Sequence, residues 1–450
     1  MNTDLLRQLV NQSIDSHSRF QSRWNDYEID DSLIVETQKS RTVLTELENR
    51  LRENYPFFHP RYAGQMLKPP HEIAVAAYLM AMQINPNNHA LDGGPATATM
   101  EMEVVQQIAQ MFGYTKHLGH LTSSGTIANL EALWIAKSLH PDKAIAYSAS
   151  AHYTHNRMCD VIGAKHLRLD TFDEIEKAII NNNIGTLVVT IGTTSLGQIE
   201  PLHEILPVAK KHGVRIHADC AYGGFFMLLA KASKPKVDAR SFLLLNECDS
   251  IVIDPHKHSL QPYGCGCVLF CDPAVGKYYK HDSPYTYFTS KELHLGEISL
   301  ECSRAGASAA ALWATLQCFP LETETGLGAI LTKTRDAALQ FSRLLASSSS
   351  LCEHVQPELD IVTYFPKTKN FSATEVTLLV ERTFTNLMNR KYNPLYLATV
   401  TVDSETIKRR YPDFIVDAPS TKIFRSVLMK PEHAGFVTSL LKEIEDTIKE

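Results

Sequence analysis

Four short apolar stretches in the middle of the chain each hand over to a polar residue, and helical patterns separate some of them. Ala144-Ile-Ala-Tyr147 precedes His152, and Thr186–Ile191 precedes the turn Gly192-Thr-Thr194-Ser-Leu-Gly197. Val214–His217 precedes Asp219, and Ile251–Ile253 precedes Lys257, with helical periodicity at Phe172–Ile180 and Leu202–Lys211 in between. Short buried strands alternating with helices predict an α/β fold, a mostly parallel sheet with helices on both faces. Ligands of such sheets sit off the carboxyl ends of the strands. His152, Asp219 and Lys257 are therefore expected to share one pocket although they are far apart in sequence.

The flanking regions differ in character. Residues 1–60 place Leu5, Leu6, Leu9 and Val10, then Val43, Leu44, Leu47 and Leu51, at helical spacing, and the Pro-rich break at 56–60 ends this stretch. That pattern predicts a helical N-terminal arm with little core of its own, packed on the main domain or on another subunit. Residues 61–325 read as the large domain, with further helices at His71–Met82, Met100–Phe112, from Gly125, and at Ala305–Gln317. Between the last two, residues 280–288 are polar and aromatic without a clean period. They read as a mobile loop carrying Tyr285 and Tyr287. Residues 326–450 read as a smaller α+β C-terminal domain, with a helix to Leu345, a serine linker at 347–350, strands near 395–402 and 423–428, and a closing helix after Pro431.

Charge and composition exclude some partners. The 44 basic and 50 acidic residues are spread along the chain, net −6, with no basic run to track a phosphate backbone, so no nucleic-acid partner is expected. The longest apolar run, Ile73 to Met82, is about half the length a bilayer needs, and the N-terminus lacks a signal-type apolar stretch. The reading is a cytoplasmic protein with no membrane partner. Nine scattered cysteines form no Cys-x-x-Cys pair, which argues against a disulfide framework and a zinc ribbon; no metal is expected.

Several of these residues have chemistry to offer. The helix beginning at Ser124-Gly125-Thr126 presents free N–H groups and the positive end of its dipole, which suits a phosphate and equally a plain Ser/Thr cap. Lys257 alone reads as an ordinary surface lysine. Fixed at a strand end beside His256, it also suits Schiff-base chemistry on a carbonyl. A phosphorylated aromatic aldehyde with a ring nitrogen uses all the parts: the helix start, a flat imidazole at His152, a carboxylate at Asp219 and the Lys257 amine. That ligand is pyridoxal 5'-phosphate, with Asp219 kept ionised against the pyridinium and His256 in reach of the phosphate or the lysine.

The chain resembles the group II pyridoxal-phosphate-dependent amino-acid decarboxylases, of aspartate-aminotransferase-like fold type I. The resemblance rests on segments in the family's order: His59-Pro-Arg61, Pro95-Ala96 with Glu101, Thr122-Ser-Ser-Gly-Thr-x-Ala-Asn129, His152, Gly192-Thr-Thr194-x-x-Gly197, His217-x-Asp219-x-Ala221-x-Gly-Gly224, Asp254-Pro-His-Lys257, Ser303-Arg304, and Arg425-Ser-Val-Leu-Met429. It implies decarboxylation of an L-amino acid to an amine and carbon dioxide, through a Lys257 aldimine and a quinonoid intermediate. It further implies that Asp219 partners the ring nitrogen, that His152 and Ala221 pack on the two ring faces, and that Ser124, Gly125, Thr126, Thr194 and His256 contact the cofactor. A homodimer with active sites at the interface is implied as well, Ser303 reaching the neighbour's phosphate and Tyr285 or Tyr287 serving as proton donor. Two positions depart from the pattern: His258 stands where an aromatic is common, and Ser124 where many members carry glycine.

Rival readings are another pyridoxal-phosphate-dependent carbon–carbon lyase or an oxidative aldehyde synthase on the same fold, a non-catalytic homologue, and, from a different class, a metal-dependent hydrolase built on His152, His155, His217, His256 and Asp219. Arg61, Tyr62, His89, Asp92, Arg304 and Arg425 are candidate substrate contacts that the sequence does not place.

Overall fold

The computed structural model describes residues 2–24, 27–280 and 299–449. Among them a seven-stranded sheet is built from β1 (Leu118–Thr122), β2 (Ala144–Ser148), β3 (His166–Leu169), β4 (Ile184–Thr190), β5 (Arg215–Asp219), β6 (Ser250–Ile253) and β7 (Gly266–Phe270), in the order β1-β7-β6-β5-β4-β2-β3. All residues of β4, β6 and β7 are buried, because helices cover both faces. That cover is why the strands read as apolar runs rather than as alternating patterns. Neighbouring strands are parallel except at β7, which runs antiparallel to both β1 and β6.

The helices follow the periodicity closely. α1 (Thr3–Gln21) and α2 (Thr37–Leu51) form the N-terminal helical region, followed by α3 (Glu72–Met82), α4 (Pro95–Phe112), α5 (Gly125–Leu139), α6 (Thr154–Val161), α7 (Phe172–Ile180) and α8 (Leu202–Lys211). α4 starts five residues before Met100, with Pro95 in its first turn, where its missing N–H costs nothing, and it ends at Gly113 with φ +91°. α1 lies along α3, and its one buried side chain, Ser13, donates to the Ala76 carbonyl at 3.0 Å.

The smaller C-terminal α+β domain carries a four-stranded antiparallel sheet, β8 (Leu351–Val355), β9 (Ile361–Pro366), β10 (Ala398–Asp403) and β11 (Ser420–Val427), in the order β10-β11-β9-β8. Tyr364, Phe341, Phe365 and Phe424 fill its core. Residues 347–350 are not a soft linker. Ser347 caps the helix Gly326–Ala346, and the Ser348 and Ser350 hydroxyls both donate to Glu445 in the last helix, so the turn is tied down. Among the described residues no helix is long and apolar enough to cross a membrane.

Candidate active site

Register brings the key residues to one edge. Thr190 of β4 pairs with Asp219 of β5, and Asp219 pairs with Val252 of β6, so three parallel strands end level. Each chain then turns across the sheet edge. After β6, Asp254 and Pro255 open a single helical turn, Pro255–His258, that sets Asp254 and Lys257 on one face, with Lys257 Nζ 3.2 Å from Asp254 Oδ2. After β4, Gly192 takes φ +93°, and a Cβ there would fall 2.8 Å from the Gly223 nitrogen, so only glycine fits the turn that delivers Thr194.

These turns enclose a cavity of about 210 Å³ lined by Ser124, Gly125 and Thr126 at the start of α5, His152 and Thr154 before and in α6, and Thr190, Gly192 and Thr194. Asp219, Ala221, Tyr222, Asp254, His256 and Lys257 complete it. His152, Asp219, Lys257, Ser124, Gly125, Thr126, Thr194, Ala221 and His256 therefore meet in one place. Ser303 does not line this cavity. It sits in a neighbouring one of about 180 Å³ with Thr122, Ser123 and Arg304, and its hydroxyl accepts from Asn87 at 3.1 Å. Tyr285 and Tyr287 lie outside the described residues.

The floor is Asp219, buried, with Oδ1 accepting the Ala221 N–H at 3.1 Å and Oδ2 lying 2.8 Å from His155 Nε2. Burial alone would raise its pKa, but the hydrogen bond from His155 and the nearby Lys257 ammonium outweigh that and hold the carboxyl well below the usual range. His152 is pushed down by burial, as is His256, whose Nδ1 lies 2.8 Å from the Cys265 carbonyl. At the far end, the Ser124 hydroxyl accepts from the Ile127 N–H at 3.3 Å, leaving first-turn N–H groups of α5 facing the cavity. A side chain on Gly125 would put a Cβ 2.5 Å from the Asp254 carboxylate, so glycine keeps this end open.

The donor set fits a phosphorylated pyridine aldehyde. An anion seat lies at one end, a buried carboxylate suited to a protonated ring nitrogen at the floor, the His152 imidazole and the small Ala221 line the walls, and the Lys257 amine in the same cavity could bind an aldehyde. It does not fit the hydrolase reading. Among the described residues no three His, Cys, Asp or Glu side chains are grouped to hold a metal ion. His217 has both ring nitrogens engaged, with Ser250 at 2.9 Å and Asn129 at 2.8 Å, and burial lowers its pKa to about 3.

The family profile of the pyridoxal-dependent decarboxylase conserved domain matches residues 27–363, well over half of the chain. The chain belongs to the pyridoxal-dependent decarboxylases. Among curated relatives, a probable L-aspartate decarboxylase of Pyrococcus abyssi is 26% identical over 345 residues, covering 74% of this chain and 86% of that protein. An L-tyrosine decarboxylase of Enterococcus faecium is 28% identical over 410 residues, 67% of each chain. The crystal structure of Oryza sativa TDC with PLP and tryptamine superposes with a TM-score of 0.78 at 16% identity, covering 100% of this chain and 98% of that one, a likeness of fold. As a pyridoxal-dependent decarboxylase, the protein uses pyridoxal phosphate to remove carbon dioxide from an amino acid.

Other residues at the site escaped the sequence reading. Asp254, three residues before Lys257, had its signal in that spacing. His155 had none beyond standing three residues after His152, and it was grouped with candidate metal ligands. The arginines considered for a substrate are engaged elsewhere. Arg425 donates to the carbonyls of Thr194, Ser195 and Gly64, Arg304 binds Glu101 and the Leu121 and Asn88 carbonyls, and Arg61 binds Glu443.

Proposed function

We propose that Lys257 holds the cofactor covalently and releases it to the incoming amino acid, with Asp219 partnering the ring nitrogen and His152 and Ala221 packing on its two faces. Ser124, Gly125, Thr126, Thr194 and His256 hold the rest of the cofactor. One observation carries this assignment: the amine, the buried carboxylate, the imidazole and the helix start line the same cavity. Bound pyridoxal phosphate supplies an electron sink for the pair left when the Cα–carboxylate bond breaks. Asp254 orients the Lys257 amine by its 3.2 Å contact, and the ionised Asp219 favours the protonated ring nitrogen. Tyr285 or Tyr287 is the donor that reprotonates the substrate carbon. The test is carbon dioxide and amine release across the amino acids, repeated with Asp219→Ala, Tyr285→Phe and Tyr287→Phe. Amine release at the native rate by Asp219→Ala would overturn the assignment, and aldehyde with ammonia and peroxide would redirect it to the synthase chemistry.

The assembly is a homodimer with active sites at the interface and Ser303 directed at the neighbour's phosphate. In support, α2 has no buried residue, yet Val43, Leu44, Leu47 and Leu51 form an exposed apolar stripe along it. Residues 1–60 then serve assembly, 61–325 hold the cofactor, and 326–450 form the small C-terminal α+β domain. The compartment is the cytoplasm, in keeping with free cysteines throughout the described chain, and fractionation tests it.

A further inference from the structure

The turn that presents His152 to the cavity also places a second histidine behind the floor. His155 N–H donates to the His152 carbonyl at 3.0 Å, so the two imidazoles leave one helical turn in different directions. His152 lines the cavity, while His155 is completely buried and reaches Asp219 Oδ2 at 2.8 Å. Its ring is fixed on two sides. Tyr147 stacks on it at 6.3 Å with a 28° interplanar angle, and His217 meets it edge-on at 6.4 Å. Tyr147 is held in turn by Asn156 and His166, at 3.0 and 2.9 Å from its hydroxyl.

The tautomer follows from the neighbours. His155 Nδ1 is buried with no hydrogen-bond partner among the described residues, whereas Nε2 faces a carboxylate oxygen. A hydrogen on Nδ1 alone would leave a buried donor unpaired and set two lone pairs against each other, so the hydrogen sits on Nε2 and is donated to Asp219. Among the described residues, the only other donor to this carboxylate is the Ala221 N–H, on the opposite oxygen. Lys257, His152 and His217 also lie within electrostatic reach of this pair, and Glu200 nearby carries the opposite sign.

We propose that His155 is a positioning residue of the decarboxylase: it holds the Asp219 carboxylate by its second oxygen, turned to the cavity and kept as an anion, so that Asp219 can pair with the cofactor's ring nitrogen. This rests on the assignment of Asp219 as that partner. Burial by itself favours the protonated acid, and a protonated Asp219 has no charge to offer a pyridinium. His155→Phe keeps the volume and removes the donor. His155→Gln keeps an N–H at a similar reach.

The experiment is infrared spectroscopy of the holoenzyme at pH 7 with carbon-13-labelled aspartate, read beside the rate of cofactor release. His155→Phe is expected to gain a carboxylic-acid band that Asp219→Asn removes from the double variant, and to release the cofactor roughly ten- to a hundredfold faster. His155→Gln is expected to show no such band and to stay within about threefold of the native release rate, a rescue that simple packing would not produce. An ionised Asp219 with native release in His155→Phe overturns the proposal. Should that variant fail to fold, His155→Asn is compared with His155→Gln; Asn is too short to reach Oδ2, so equal release by the two also overturns it. Asp219→Asn alone separates the two layers: native cofactor retention there refutes the role of Asp219, whatever the infrared band reports about His155.

Discussion

Asp219 and Leu47 lie at opposite extremes of this molecule. Asp219 is 4% exposed, with both carboxylate oxygens hydrogen-bonded and the surrounding rings fixed by their own partners, whereas Leu47 is 48% exposed on a helix that buries nothing. The strand-end cavity has its polar groups gathered within a single chain. The arm leaves its apolar groups uncovered among the described residues. The difference separates two tasks: the fold of one copy sets the chemistry, and the proposed homodimer gives the arm's stripe its use.

The largest expected effect falls on the chemical side. Lys257→Ala should lower amine formation by at least about a thousandfold while leaving the thermal midpoint near the native value, as removing a partly buried side chain from a finished turn should. Steady-state kinetics with a melting curve checks both.

Acid should come next, and it probes the buried interior alone. Burial lowers His217 and His433 to about 3 and His354 to about 4, against an ordinary value of 6.5. Between those values the unfolded chain binds protons that the folded chain does not, so stability is complete above pH 6.5 and falls as the pH drops toward 3 to 4. Each such group costs up to about 1.4 kcal/mol per pH unit in that window. Denaturant unfolding at stepped pH measures the slope, which should be unchanged when the arm is altered.

The arm itself is tested by Leu44→Glu with Leu47→Glu. If a second copy covers the stripe, the double variant should sediment as a monomer and lose about 2 kcal/mol or more of association free energy. A free surface would respond within about 0.5 kcal/mol and keep its sedimentation. The smallest effect should come from Ser124→Gly at the start of α5. A glycine N-cap costs only a few tenths of a kcal/mol, and the N–H groups that face the cavity belong to the backbone, so cofactor affinity should stay within about twofold. A titration of the apoprotein with pyridoxal phosphate checks it.

Much of the fold was legible because its signals are local. The bounds of α7 and α8 coincide with the periodic stretches, and the strands before Asp219 and Lys257 were read from their apolar runs. The direction of β7 was not legible: Cys265, Cys267 and Cys271 share one strand parity, but parity carries no information about which neighbour a strand pairs with. β3 is an edge strand of four residues, none of them buried, and so lacks the apolar run that marks the others. His258 departs from the family pattern in sequence, and only the fold shows why it is accommodated: its Nε2 lies 3.1 Å from Asp360, which also takes the Tyr222 hydroxyl, so the C-terminal domain supplies the partner from about a hundred residues away. A separation of 64 residues likewise hid His155 behind Asp219. The substrate stayed illegible for a different reason, since the arginines that sequence offers are engaged with other parts of the chain.

The covalent role of Lys257 is tested most directly by reducing the holoenzyme with borohydride, digesting it, and locating the pyridoxyl group by mass spectrometry. The label should fall on the peptide containing Lys257 and on no other lysine, with the visible absorption bleached in step. A label on another lysine, or complete release of unreduced cofactor, would contradict the assignment.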